Sequence, residues 1–180
     1  LSAARTWITA GESAERRTGT APAQTEVELP VAYDGPDLAE AASLVGLSPD
    51  ALIGRHLAAR WRVAFTGFAP GFGYLVSDDW NLDMPRRATP RTRVPRGAVA
   101  LAGGFTGAYP RETPGGWQLI GTTDAPLFDP SAAESVLLRP GTLVRFRRVA
   151  SVAVAAPAQA VPPAGAHAFD VIDPGALATV

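Results

Sequence analysis

The sequence predicts a mainly β domain, a sandwich or small barrel, with two short helices near its start. Two observations carry this. From Trp61 onward, short segments of alternating bulky and small or charged residues recur, punctuated by glycine and proline. Helical spacing of apolar residues is confined to residues 37–60, so a parallel sheet with a helix after each strand is not expected.

Taken in order, Leu1 to Thr25 is rich in Ala, Thr, Ser and Glu without clear period, and reads as a linker or the remnant of a preceding domain. Strand alternation starts at Glu26, with Val27, Leu29 and Val31 on one face, and Gly35-Pro36 ends it. Leu38, Ala41, Ala42 and Val45 mark a helix over Asp37 to Val45, stopped by Gly46. Ser48 is an N-cap followed by proline at the first helical position. The second helix runs from about Pro49 to Arg60 and can turn Leu52, Ile53, His56, Leu57 and Ala59 inward. Strands follow at Arg62 to Phe68, Ala98 to Ala102, Trp117 to Thr122 and Leu143 to Phe146, the last announced by the turn Arg139-Pro140-Gly141. The domain is therefore placed at residues 26–149. Residues 150–166, with Pro157, Pro162 and Pro163, read as an extended inter-domain linker, and residues 167–180 as the start of another module.

Composition excludes several chemistries. The 180 residues contain no cysteine, and all sixteen basic residues are arginine. Disulfides, thiolate catalysis, a phosphate-loop lysine and a Schiff-base lysine are thus absent. His56 and His167 are the only imidazoles. A net charge of -1 leaves no basic footprint for nucleic acid, and no apolar run approaches the ~20 residues of a membrane span. The start lacks a charged segment followed by an apolar one, which points to the cytoplasm.

Three segments concentrate glycine, proline, arginine and aromatic residues between strands: Thr66 to Leu75, Pro85 to Gly97 and Gly103 to Gly121. Glycine lets backbone approach a ligand closely, proline stiffens the loop, and arginine presents a planar fork to a carboxylate or phosphate. The set suits a rigid site for a small anion or an amide carbonyl; equally, such loops can be plain turns with solvated arginines.

The runs FTGFAPGFGYL, PRRATPRTRVPRGAVALAGGFTGAYPRETPGGWQLIGTT and LFDP…LLRPGTLVRF resemble the C-terminal domain of the allophanate hydrolase subunit 1 family. That family includes the B-type subunit of 5-oxoprolinase, an inhibitor of a sporulation histidine kinase, and part of the carboxyltransferase region of urea carboxylase. The resemblance implies a cyclophilin-like β-barrel. The tail, FDVIDPGALATV, is similar to the opening of allophanate hydrolase subunit 2, the C-type subunit of 5-oxoprolinase, which implies a fusion through the Ala/Pro linker. Two departures stand out: Gly73 where many relatives have proline, and Phe105 where many have glutamine.

The resemblance implies a component of an ATP-dependent 5-oxoprolinase, with ATP and magnesium in the assembled complex and a small amide or lactam as substrate. Its partners would be an A-type subunit and the subunit 2/C-type module, and the chain alone is expected to be inactive. Opening an unstrained lactam at neutral pH is unfavourable, so coupling it to phosphoryl transfer makes chemical sense. Alternatives are a urea carboxylase-type domain acting on urea or allophanate, and a regulatory module that docks on a histidine kinase. Prolyl isomerisation rests on fold analogy alone.

Arg91 is a candidate anion-binding guanidinium at the cleft between subunits, or a structural arginine bonded to loop carbonyls. Thr106 and Tyr109 are candidates to orient a substrate amide, or they tie a turn. Pro70, Gly71 and Tyr74 are expected on the facing wall, with Gly104, Pro114, Gly115, Gly116 and Trp117 completing the substrate-binding set. His56, among apolar neighbours on a helix, reads as a satisfied structural histidine rather than a general base. Asp78, Asp79 and Asp83 show no pairing logic.

Overall fold

The computed structural model describes residues 25–153. The expectations for the leading linker or domain remnant, most of the Ala/Pro linker and the subunit 2-like start fall outside those residues.

The chain runs β1 (Glu26–Val31), α1 (Leu38–Leu44), α2 (Pro49–Ala58), β2 (Trp61–Thr66), β3 (Gly73–Val76), β4 (Arg91–Val94), β5 (Ala98–Ala102), β6 (Phe105–Ala108), β7 (Thr113–Gly115), β8 (Gln118–Thr122) and β9 (Leu143–Arg148). Seven strands form one sheet in the order β1-β9-β2-β3-β6-β5-β8. Its edges meet where Ala32 and Thr122 exchange hydrogen bonds of 2.9 and 2.7 Å. That one bridge, with the Asp37 N–H on the Leu119 carbonyl, nearly closes the sheet into a barrel. β1 pairs parallel with β9, and the sheet's other pairs are antiparallel. The fold is the barrel the sequence implied.

Each helix follows from local chemistry. Ser48 Oγ accepts the Ala51 N–H at 3.2 Å, and Pro49 opens α2 at the predicted position. α1 gives way to Gly46, whose φ of +71° suits glycine. Ala41 and Ala42 of α1 and Leu52 of α2 pack on the barrel core with Leu29, Val31, Trp61, Val63, Leu75 and Phe146.

β5 is buried on both faces, which its sequence Ala-Val-Ala-Leu-Ala explains. Val99 and Leu101 enter the barrel core. Ala98, Ala100 and Ala102 point the other way, into a second core with Phe72, Val94, Tyr109, Trp117 and Leu119. Their small side chains let a second layer come close, and the two-stranded β4–β7 sheet belongs to it through Val94.

The sequence placed its three Gly/Pro segments between strands. In the structure each holds strand of its own: β3 in the first, β4 in the second, β6 and β7 in the third. Ala102 pairs with Phe105, so Gly103-Gly104 is a two-residue hairpin turn, with Gly103 at φ +56°.

Candidate functional site

The first loop connects β2 to β3 and displays Phe68. Its φ is +67°, the only positive value for a non-glycine among the described residues. Its side chain is 59% exposed. A left-handed phenylalanine costs about 1–2 kcal/mol, so the turn holds that ring outward against a local penalty. Gly71, at φ +85°, lets the same turn pass tightly over Leu127 and Phe128. A shallow cleft of about 400 Å³ beside Phe68 is lined by Thr66, Gly67, Ala69, Pro70, Gly71 and Val136.

Behind Phe68 the rings form a continuous layer. Phe68 meets Phe72 and Tyr109 edge-on at 5.4 and 6.1 Å between centroids. Phe72 touches Tyr74, Tyr109 and Trp117 at 5.0–5.4 Å. Phe65, 47% exposed, stacks on Tyr74 at 4.4 Å, and Phe105 closes the edge. Edge-to-face contacts of this kind fix ring positions as well as burying area.

Gly115 lets the β4–β7 sheet sit against this layer. A Cβ there would lie 2.5 Å from the Tyr109 hydroxyl. Arg91 pairs with Gly115 across the strands. Burial pushes the Tyr109 phenol up to about 12; Tyr74 adds to the rise, while Arg86 and Arg91 oppose it. Tyr109 therefore stays a hydrogen-bond donor at neutral pH.

Arg91 Nη2 donates to Asp37 Oδ1 at 2.6 Å, and Arg87 Nη1 donates to the same oxygen at 2.9 Å. Asp37 Oδ2 accepts the Leu119 N–H at 2.8 Å. Asp37 stands at the N-cap of α1 yet makes no side-chain cap bond. Its carboxylate serves the arginine loop instead.

The structure thus brings Tyr74, Tyr109, Trp117, Gly115, Gly116 and Arg91 together, with Pro114 exposed on β7. Pro70 and Gly71 sit in the Phe68 turn, and Gly104 at the exposed β5–β6 tip beside Phe105.

Thr106 is placed elsewhere. It is wholly buried and faces the barrel interior, paired with Leu75 and Leu101. Its hydroxyl donates to the Ala100 carbonyl at 3.1 Å, so its oxygen is free to accept from His56 Nε2 at 2.9 Å. His56 Nδ1 then accepts from the Tyr33 hydroxyl at 2.8 Å. Both ring nitrogens are satisfied with the imidazole neutral, as expected of a structural histidine. Desolvation holds His56 down at about 3 and pushes the Tyr33 phenol up. Of the aspartates without pairing logic, Asp79 lies 3.8 Å from Arg60, an exposed pair of little energetic weight.

Sequence reasoning missed Asp37, Arg87, Phe65, Phe68 and Phe72. The phenylalanines were visible as aromatics inside a Gly/Pro loop. Asp37 was hidden by its position, since aspartate at a helix start is explained by capping.

Fold and site together define a small, nearly closed β-barrel domain with an arginine-rimmed aromatic face on its outer side. Residues 2–138 match the family described as carboxyltransferase domain, subdomain C and D. The chain belongs to that family. It is 51% identical over 123 residues to the B-type subunit of 5-oxoprolinase from Escherichia coli O157:H7, covering 67% of this chain and 56% of that protein. It is 45% identical over 126 residues to the corresponding subunit from Bacillus subtilis (strain 168), covering 68% and 52%. The chain therefore spans a little over half the length of these curated relatives. Among solved structures, it superposes on the conserved uncharacterized protein PH0987 from Pyrococcus horikoshii with a TM-score of 0.65 at 41% identity, covering 69% of this chain and 59% of that one. Kluyveromyces lactis urea carboxylase shares the fold at 17% identity and a TM-score of 0.57, covering 82% of this chain and 16% of that one. No helix among the described residues is long and apolar enough to cross a membrane.

Proposed function

We propose that this chain is a domain of an ATP-dependent 5-oxoprolinase, which opens the lactam of 5-oxoproline to give glutamate. In this reading it works in the cytoplasm with an A-type subunit and a subunit 2/C-type module. The observation that carries it is the 51% identity with a protein named as the B-type subunit of 5-oxoprolinase.

The geometry supports a binding role within that complex. The exposed rim of the aromatic layer, Phe65, Phe68 and the half-buried Tyr74, suits the apolar atoms of a five-membered lactam, while Arg91 suits its carboxylate. Phe65 and Phe68 leave the face open on one side, where a companion would complete it. In this reading ATP and its magnesium are bound in the assembled complex, where arginine and backbone N–H groups can contact phosphate in a chain without lysine.

The test is ATP-dependent glutamate release from 5-oxoproline by the full-length protein with its companion subunits. Arg91→Ala is expected to lower kcat/KM about 100-fold, the usual cost of losing a charge-assisted contact to a bound anion. Unchanged activity would keep the reaction and remove Arg91 from the site. No turnover by the folded wild-type complex would remove the 5-oxoprolinase reading itself.

Phe68→Ala separates display from stability. It keeps the strained backbone and deletes an exposed ring, so urea unfolding should shift by less than about 1 kcal/mol. Activity of the same complex should fall at least about tenfold if the ring contacts substrate or the completing subunit. Unchanged activity would leave the aromatic face without a role in turnover.

A further inference from the structure

We propose that Asp37 is a positioning residue: it fixes the Arg91 guanidinium, whose side chain remains 24% exposed, in the orientation that receives a ligand carboxylate. The proposal rests on the reading of a small carboxylated amide as ligand.

Asp37 is 2% exposed, the one buried acidic residue among those described. It is fixed to β8 twice, through its own N–H to the Leu119 carbonyl at 3.0 Å and through Oδ2 to the Leu119 N–H at 2.8 Å. Its remaining oxygen, Oδ1, carries both Arg87 and Arg91. A carboxylate so anchored is a rigid post, and a guanidinium held to it at 2.6 Å has little freedom left.

The two arginines are not equally paired. Two guanidiniums share one carboxylate; Arg87 also reaches the exposed Glu40 at 3.6 Å, whereas among the described residues Asp37 is the one anion in ion-pair contact with Arg91. Arg91 Nη1 and Arg87 Nε are buried atoms with no hydrogen-bond partner. An arginine kept only for structure would have those N–H groups on carbonyls, because an unpaired buried donor on a charged group is costly. Gln118, 1% exposed, donates its amide to the Pro85 carbonyl at 3.1 Å, and its acceptor Oε1 has no partner. Arg87 Nε and Arg91 Nη1 lie in the loop that Asp37 ties down, and Gln118 stands beside Leu119 on β8. Arg91 is also at the aromatic face, since its strand partner Gly115 lies against the Tyr109 hydroxyl. A fixed guanidinium with spare donors is what recognition of a carboxylate requires.

The test uses the full-length protein with its companion subunits and the variants Asp37→Asn and Asp37→Glu. Asparagine keeps an acceptor for the Leu119 N–H, so folding is checked by melting temperature rather than assumed. Without substrate, phenylglyoxal labelling followed by peptide mass spectrometry should modify Arg91 about tenfold faster in Asp37→Asn, because the charge-assisted bond that holds it is weakened. An unchanged labelling rate overturns the proposal whether or not 5-oxoproline is the ligand. In turnover, Asp37→Asn should raise KM for 5-oxoproline about tenfold while kcat changes little, with partial recovery in Asp37→Glu. Loss of kcat alone, in proportion to unfolded protein, marks a structural role and overturns it too. Absence of turnover in the wild-type complex counts against the substrate, and the labelling result still decides Asp37.

Discussion

Replacing His56 by alanine is expected to lower the unfolding free energy by about 3–5 kcal/mol, among the largest effects of any single change in the barrel. His56 is 0% exposed and sits between Trp61, Trp80 and Phe146, with ring centroids 5.3, 6.0 and 4.3 Å away. Alanine would leave a cavity among rings that cannot collapse into it. It would also strand two partners, the Tyr33 hydroxyl and the Thr106 oxygen. Urea denaturation at pH 7 measures the loss. A change below about 1 kcal/mol would mean that the surrounding rings close the gap, contrary to the packing seen.

The same residue makes the protein acid-sensitive in a predictable window. Folded His56 stays neutral down to about 3, against an ordinary value of 6.5. Below pH 6.5 the unfolded chain takes up a proton that the folded chain refuses, so stability is complete above that pH and falls as the pH drops toward 3. Between pH 7 and pH 5 the loss from this one group is about 2 kcal/mol. His56→Gln, which cannot take up that proton, should be less stable at pH 7 but lack this slope. An equal slope in both proteins would place the acid sensitivity in other groups.

The contrast between Thr106 and Tyr109 shows where the sequence was legible. Both stand in one glycine-rich run, and loop reasoning groups them in one site. Once Phe105–Ala108 is a strand, side chains alternate between faces. Positions 106 and 109, three apart, then point to opposite sides: Thr106 into the barrel with His56, Tyr109 out to the aromatic layer. The strand itself was hard to read, because Gly107 interrupts its alternation and its partners lie on β3 and β5. β1, both helices, β5, β8 and β9 were legible because each carries its own period. β4 and β7 are three or four residues long, hold proline or arginine, and exist only by pairing with each other. For the site, composition showed that the glycine loops could surround an anion. The carboxylate that orders their arginines lies 54 residues before Arg91 in the chain, and no local pattern connects the two.

Gly35→Ala is expected to cost at least about 3 kcal/mol and to disturb the arginine loop with it. A Cβ at Gly35 would land on the Leu119 oxygen and the Ile120 carbonyl carbon and lie 2.5 Å from Gly121 N. All three are backbone atoms of β8, so no side-chain rotation relieves the clash. The chain must lift away from the strand where the barrel closes, between the Ala32–Thr122 pair and the Asp37–Leu119 pair. Because both Asp37 contacts with Leu119 lie on that path, the displacement that relieves Gly35 pulls the carboxylate off β8 and Arg91 with it. Urea denaturation should therefore report a large loss, and phenylglyoxal labelling of Arg91 in the residual folded protein should rise in step. A Gly35→Ala protein of wild-type stability would mean that β8 yields at this seam, and the barrel would then be a softer scaffold for the site than its hydrogen bonds imply.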